Sequence, residues 1–155
     1  MAEKNFVIVG GSHGMGLGIV RRLNEEGHHV TVISRTADEL ETSDRLVHLQ
    51  LDVSTDEIDK GMLPETIDGL AYCPGTINLK SFRALSPDVF RSDFELNVIG
   101  AVKTIQAALK ALKNGTPSSV LMFSTVAVGQ GMGMHASVAA SKGAIEGLTR
   151  TLAAE

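Results

Sequence analysis

Tryptophan is absent and tyrosine occurs once, at Tyr72, so aromatic residues make up only 4% of the 155 positions. Phenol chemistry can therefore come from one place only. A single cysteine, Cys73, excludes an internal disulfide and suits a reducing, cytoplasmic setting. No apolar run approaches the ~20 residues that a membrane-spanning helix needs. The opening Met-Ala-Glu-Lys-Asn is followed by only four apolar residues, short of a signal-peptide core. Positive charge is in deficit as well: 14 Lys and Arg against 18 Asp and Glu leave a net charge of -4, with no basic footprint for nucleic acid or an anionic membrane. There is no internal repeat and no Pro/Gly/Ser-rich linker, so residues 1–155 read as a single domain.

What is present is a 43% hydrophobic chain, enough for a real core, in which short β-branched runs alternate with helical stretches. Phe6-Val7-Ile8-Val9, Val30-Thr31-Val32-Ile33, Leu46-Val47-His48-Leu49, Gly69-Leu70-Ala71-Tyr72 and Val120-Leu121-Met122-Phe123 are predicted strands. A helix through Leu17, Val20 and Leu23 follows the first. A long one runs from about Asp88 to Lys113 and stops at Asn114-Gly115. A last one starts near Ala136 and is still helical in character at Glu155, with no glycine cap or proline. The chain is therefore expected to be incomplete at its C-terminus, a natural terminus within a helix being the alternative. Continuous apolar strands separated by helices predict an α/β, Rossmann-like, doubly wound parallel sheet, missing its last strands.

Directly after the first strand comes Gly10-Gly11-Ser12-His13-Gly14-Met15-Gly16. Glycines at a strand-to-helix turn let backbone N–H groups approach a pyrophosphate at the positive end of the helix. In this context the stretch reads as a phosphate cradle, with a flexible glycine turn as the alternative, and residues 1–155 are expected to form a dinucleotide-binding domain. The second strand ends in Ser34-Arg35. A site for the ribose 2′-hydroxyl of NAD wants a carboxylate there, and none is present. Arg35 instead offers a forked donor set suited to a 2′-phosphate, although it also reads as an ordinary surface arginine. His13 is either a weak donor in the same site or a solvated loop histidine.

The spacing Gly10-x-x-x-Gly14-x-Gly16 resembles the short-chain dehydrogenase/reductase fingerprint, and the resemblance extends over nearly the whole chain. It departs at once at Val9, where the family usually has Thr. The resemblance implies a cofactor-contacting set of Gly10, Ser12, His13, Gly14, Met15 and Gly16 in the loop, with Ser34 and Arg35 selecting NADP(H). Asp52-Val53 is similar to the family pair in which the acid takes the adenine amino group and its neighbour packs on the ring; a helix N-cap is the alternative for Asp52. Tyr72-Cys73-Pro74-Gly75 stands where the family has Asn-Asn-Ala-Gly, which implies backbone contact of Cys73 and Gly75 with the cofactor ribose.

The catalytic set is implied in the same way. Asn97, in Asn97-Val98-Ile99-Gly100, matches the helix asparagine that holds a water near the catalytic lysine. Thr125, with Ser124 beside it, matches the hydroxyl that polarises the substrate carbonyl. Lys142 matches the lysine that grips the nicotinamide ribose and lowers the pKa of a tyrosine four residues earlier, on the same helix face. That tyrosine position is Val138. His135 is the alternative proton donor nearby, or simply a loop histidine. Ala139, Ala140, Gly143, Ala144 and Gly147 give the last helix a small-residue face, expected to meet another backbone closely, within the chain or across a homodimer or homotetramer interface. The resemblance thus implies an NADP-dependent oxidoreductase acting on a small-molecule carbonyl or secondary alcohol with an incomplete catalytic set; a dimerising module that binds NADP(H) without turnover is the alternative. No metal, nucleic acid or membrane partner is expected.

Overall fold

Val, Ile and Leu fill the predicted strands because the central strands of a parallel sheet are covered on both faces. The computed structural model describes residues 2–37, 39–41, 43–115 and 117–155. In chain order the elements are β1 (Asn5–Val9), α1 (Gly14–Glu25), β2 (His29–Ser34), β3 (Leu46–Gln50), β4 (Gly69–Tyr72), α2 (Pro87–Phe94), α3 (Gly100–Asn114), β5 (Ser119–Met122), α4 (Val126–Gln130) and α5 (Ala136–Leu152). Every predicted strand is found. The predicted long helix is also there, but a π-helical turn at Glu95–Ile99 separates α2 from α3, with Asn97 at its centre. The short α4 and two single 3-10 turns carry no apolar period and went unforeseen.

The described residues form two compact units. The first comprises residues 1–73 and 103–121, and holds the sheet, with order β3-β2-β1-β4-β5. The pairs β1–β2, β1–β4 and β2–β3 are parallel, in registers that align Val9 with both Ile33 and Tyr72, and Ser34 with Gln50. The segments beginning at Gly10, Ser34, Leu51 and Cys73 therefore all leave the sheet at its carboxyl edge, where ligands bind in open α/β sheets. Ile8, Val20, Val30, Val32 and Ala71 form a buried cluster in which α1 packs on the sheet. β5 departs from the expectation of a covered strand: Leu121 is 49% exposed, because β5 lies at the end of the strand order and, among the described residues, neighbours β4 alone.

The second unit comprises residues 74–102 and 122–155. Within it α2 and the π turn pack against α5, and α4 against the same helix. The buried residues of α5 are Ser137, Val138, Ser141, Lys142 and Ile145, a stripe at helical period. Val138 and Lys142 thus do share one face. Among the described residues, no backbone outside α5 lies within 4 Å of a Cβ placed at Gly143 or Gly147. A Cβ at Gly143 would touch only the Val128 side chain at 3.7 Å, and one at Gly147 would meet nothing within 4 Å.

Candidate functional site

In the first unit the glycine loop leaves β1 through a hydrogen bond from the Gly10 N–H to the Ile33 carbonyl, 2.8 Å, and the Cys73 N–H donates to the Val9 carbonyl, 3.0 Å. These backbone bonds anchor the loop where Val9 supplies no hydroxyl. Gly14 opens α1 at φ +55°, and the chain folds back so tightly that a Cβ at Gly16 would collide with the carbonyl of Gly10 and the Cα of Gly11. Only a hydrogen fits there. Ser12 is buried, its Oγ 2.9 Å from His13 Nδ1, while His13 Nε2 lies 3.4 Å from Glu39. Met15 is exposed on the first turn. The loop is thus narrow, lined by backbone and placed at a helix N-terminus, the features an anionic pyrophosphate requires.

Ser34 sits at the end of β2, buried, and its hydroxyl is committed: Oγ donates to the Thr36 carbonyl at 2.7 Å. His48 Nε2 lies 3.0 Å from the same oxygen and 3.2 Å from the Ser34 carbonyl. With the one hydroxyl proton spent on Thr36, Ser34 accepts from His48 and has no donor left for a ligand. His48 was missed by the sequence reading; its signal lay in the β2–β3 pairing, where His48 is opposite Val32, two residues from Ser34 and on the same face. Arg35, the next residue, is exposed. With Gln50, Leu51, Asp52 and Asp56 it lines an open recess of about 340 Å³.

Asp52 stands at the floor of that recess and caps the turn that follows it. Its Oδ1 accepts from the Ser54 hydroxyl at 2.5 Å and the Ser54 N–H at 3.0 Å. These bonds hold its carboxyl below the usual carboxylate range; burial opposes the shift, and the charges of Arg35 and Lys103 reinforce it. No helix follows Asp52, so its side chain closes a turn at residues 53–55 and is not a helix N-cap. Val53 is buried beside it.

The second unit gathers Gly75, Asn97 and Lys142. Asn97 is fully buried, and its Nδ2 donates to the Asp93 carbonyl at 2.8 Å and to Thr76 Oγ1 at 3.3 Å. A Cβ placed on Gly75 would lie 3.4 Å from Asn97 Oδ1 and 3.5 Å from Lys142 Nζ, so the three converge on one spot. Lys142 is only 8% exposed. Thr125 is not on the strand: β5 ends at Met122, and Thr125 is the N-cap of α4, its Oγ1 accepting from the Ala127 N–H at 3.3 Å. That bond leaves its own proton for donation. Ser124, by contrast, donates its proton to Glu146 at 2.6 Å, which distinguishes the two hydroxyls. His135 caps α5, with Nδ1 2.7 Å from the Gly133 carbonyl. Among the described residues no group of three or more His, Cys, Asp or Glu is placed to hold a metal ion, and no helix is long and apolar enough to cross a membrane.

The profile of the short chain dehydrogenase family matches residues 4–155. The 3-dehydrosphinganine reductase TSC10A of Arabidopsis thaliana is 30% identical over 167 aligned residues, which cover 99% of this chain and 51% of that protein. The PIGF/3-ketodihydrosphingosine reductase fusion protein of Schizosaccharomyces pombe is 29% identical over 131 residues, covering 75% of this chain and 26% of that protein. Among solved structures, a short chain dehydrogenase/reductase family protein superposes with a TM-score of 0.86 at 26% identity, over 97% of this chain and 67% of that one. The chain spans about half of the first relative's length and about a quarter of the second's.

Proposed function

The chain belongs to the short-chain dehydrogenase family, and from that premise we propose an NADP(H)-dependent oxidoreductase that acts on a carbonyl or secondary alcohol. The observation that carries the cofactor reading is the cradle at Gly16, a space closed to any side chain and floored by backbone. The N–H groups of the Gly10–Gly16 loop would hold the pyrophosphate, Arg35 the 2′-phosphate, and Val53 with the Asp52 turn the adenine. His48 belongs to this assignment as the residue that fixes Ser34 behind Arg35.

Bound nicotinamide would supply hydride chemistry, and the residues of the second unit take the tasks around it. Lys142 would grip the ribose hydroxyls, with the Gly75 backbone beside its Nζ. Thr125 donates a hydrogen bond to the substrate oxygen, with Asn97 behind Lys142. No phenol is available on α5 to move a proton to that oxygen, because the stripe position one turn before Lys142 is Val138. A positioned general acid contributes about 10²–10⁴-fold, so the reaction retains proximity and orientation but proceeds slowly.

The same buried Val138 favours the second reading, a dimerising module that binds NADP(H) without turning it over. Assembly as a homodimer or homotetramer would use α2, α3 and α5, and the lone, half-buried Cys73 suits a cytoplasmic setting. NADPH consumption with a panel of ketones separates the readings. Slow turnover that Val138→Tyr raises about a hundredfold supports the enzyme. Absence of turnover in both proteins, with NADPH binding intact, supports the module.

A further inference from the structure

Asp93, one helical turn before Asn97, is a carboxylate only 1% exposed in the last turn of α2. An apolar side chain would serve packing there at less cost, since a buried carboxyl must be supplied with donors. Two donors converge on a single oxygen: the Thr76 hydroxyl at 2.5 Å and the Asn78 side-chain amide at 2.9 Å both reach Asp93 Oδ1. Toward both partners that oxygen is the acceptor.

The consequence passes along a chain of bonds. A threonine hydroxyl has one proton. Because Thr76 gives its proton to Asp93, its oxygen can only accept from Asn97 Nδ2, 3.3 Å away. The Asp93 backbone carbonyl accepts the second Nδ2 proton. An asparagine amide is nearly symmetric in shape, so its direction is set by its partners and not by packing. Here both partners demand nitrogen, and Asn97 Oδ1 is turned the other way, toward the spot beside Gly75 where Lys142 Nζ also converges. Oδ1 itself, although buried, meets no donor among the described residues.

We propose that Asp93 is a positioning residue: through Thr76 it fixes the direction of the Asn97 amide, and through Thr76 and Asn78 it ties the segment after Gly75 to the helix that carries Asn97. This deepens the assignment above and rests on it for its effect on the cofactor, but the relay itself is testable without cofactor. Exchange of the Asn97 side-chain amide protons, followed by NMR, reads the relay directly. Asp93→Val and Thr76→Val should each speed that exchange about tenfold, the equivalent of one net hydrogen bond. The backbone amides of β1 should keep their protection. Asp93→Asn, which retains an acceptor at the same oxygen, should stay within about threefold of the parent. NADPH affinity should follow the same order. Unchanged Asn97 exchange in Thr76→Val, a near-isosteric change that needs no refolding of the carboxylate site, would overturn the proposal. So would an Asp93→Asn protein that exchanges as fast as Asp93→Val. A parent protein that binds no NADPH but shows this exchange pattern would remove the cofactor assignment and leave the relay standing.

Discussion

Two glycines a single half-turn apart in α1 should respond to alanine with opposite signs. At Gly16 a Cβ would overlap the Gly10 carbonyl and approach the Gly11 Cα, all of it backbone that cannot rotate away. Overpacking against unyielding neighbours costs about 1–3 kcal/mol, more than the ~0.5–1 kcal/mol that alanine returns in a helix interior. At Gly18 the added methyl would meet nothing within 4 Å, so only the helix term remains. Gly18→Ala should therefore stabilise by about 0.5–1 kcal/mol. For a chain of this length each kcal/mol moves the melting temperature by roughly 2–4 °C. Thermal melts of the two variants should separate on the order of 2–12 °C, with the parent between them. The same pair separates in function: Gly18→Ala keeps NADPH affinity, whereas Gly16→Ala, forced to open the loop, loses at least about tenfold. A Gly16→Ala protein that melts at or above the parent would refute the tight cradle. So would a Gly18→Ala protein that falls with it.

Arg35→Ala should lower NADPH affinity by about tenfold or more, the worth of one charge-assisted contact, while NADH affinity stays level in parallel fluorescence titrations. Ser34→Asp should favour NADH, because the carboxylate repels a 2′-phosphate; an unchanged preference would detach Ser34 from the site. The Asp52 carboxyl, held low in the folded protein by Ser54, stabilises the fold above its unfolded-state pKa, and that contribution is lost as pH falls through the folded value. Ser54→Ala should raise the Asp52 pKa in an NMR titration. It should lower stability in urea near neutral pH, with the gap to the parent narrowing in acid. A gap independent of pH would assign the loss to something other than this carboxylate.

Strand and helix order could be read from the chain because the apolar runs of β1, β2 and β4 are long enough to show burial on both faces, and because the glycine loop lies where a strand gives way to a helix. The exposure of β5 could not be read, since Val120 and Leu121 look no different from the residues of a central strand and only the strand order places them at an edge. Among site residues, Gly16, Asn97 and Lys142 fall where a fixed spacing put them. Ser34 was legible by position but not by chemistry: its hydroxyl proton belongs to Thr36, and a histidine on the next strand stands behind it. Thr125 lies past the predicted fifth strand and is a helix cap, a place not legible because Val126–Gln130 is too short to show a period. Asp93 gave no signal at all, since an acid within a helix reads as solvated until tertiary structure brings Thr76 and Asn78 to it.

Selection of a phosphorylated dinucleotide by this cradle and Arg35 is read by parallel equilibrium titration with NADPH and NADH at one fixed ionic strength. One charge-assisted contact to the 2′-phosphate corresponds to at least about tenfold tighter binding of NADPH, and that difference should shrink in Arg35→Ala. Equal affinities for the two, or tighter binding of NADH, would contradict the account.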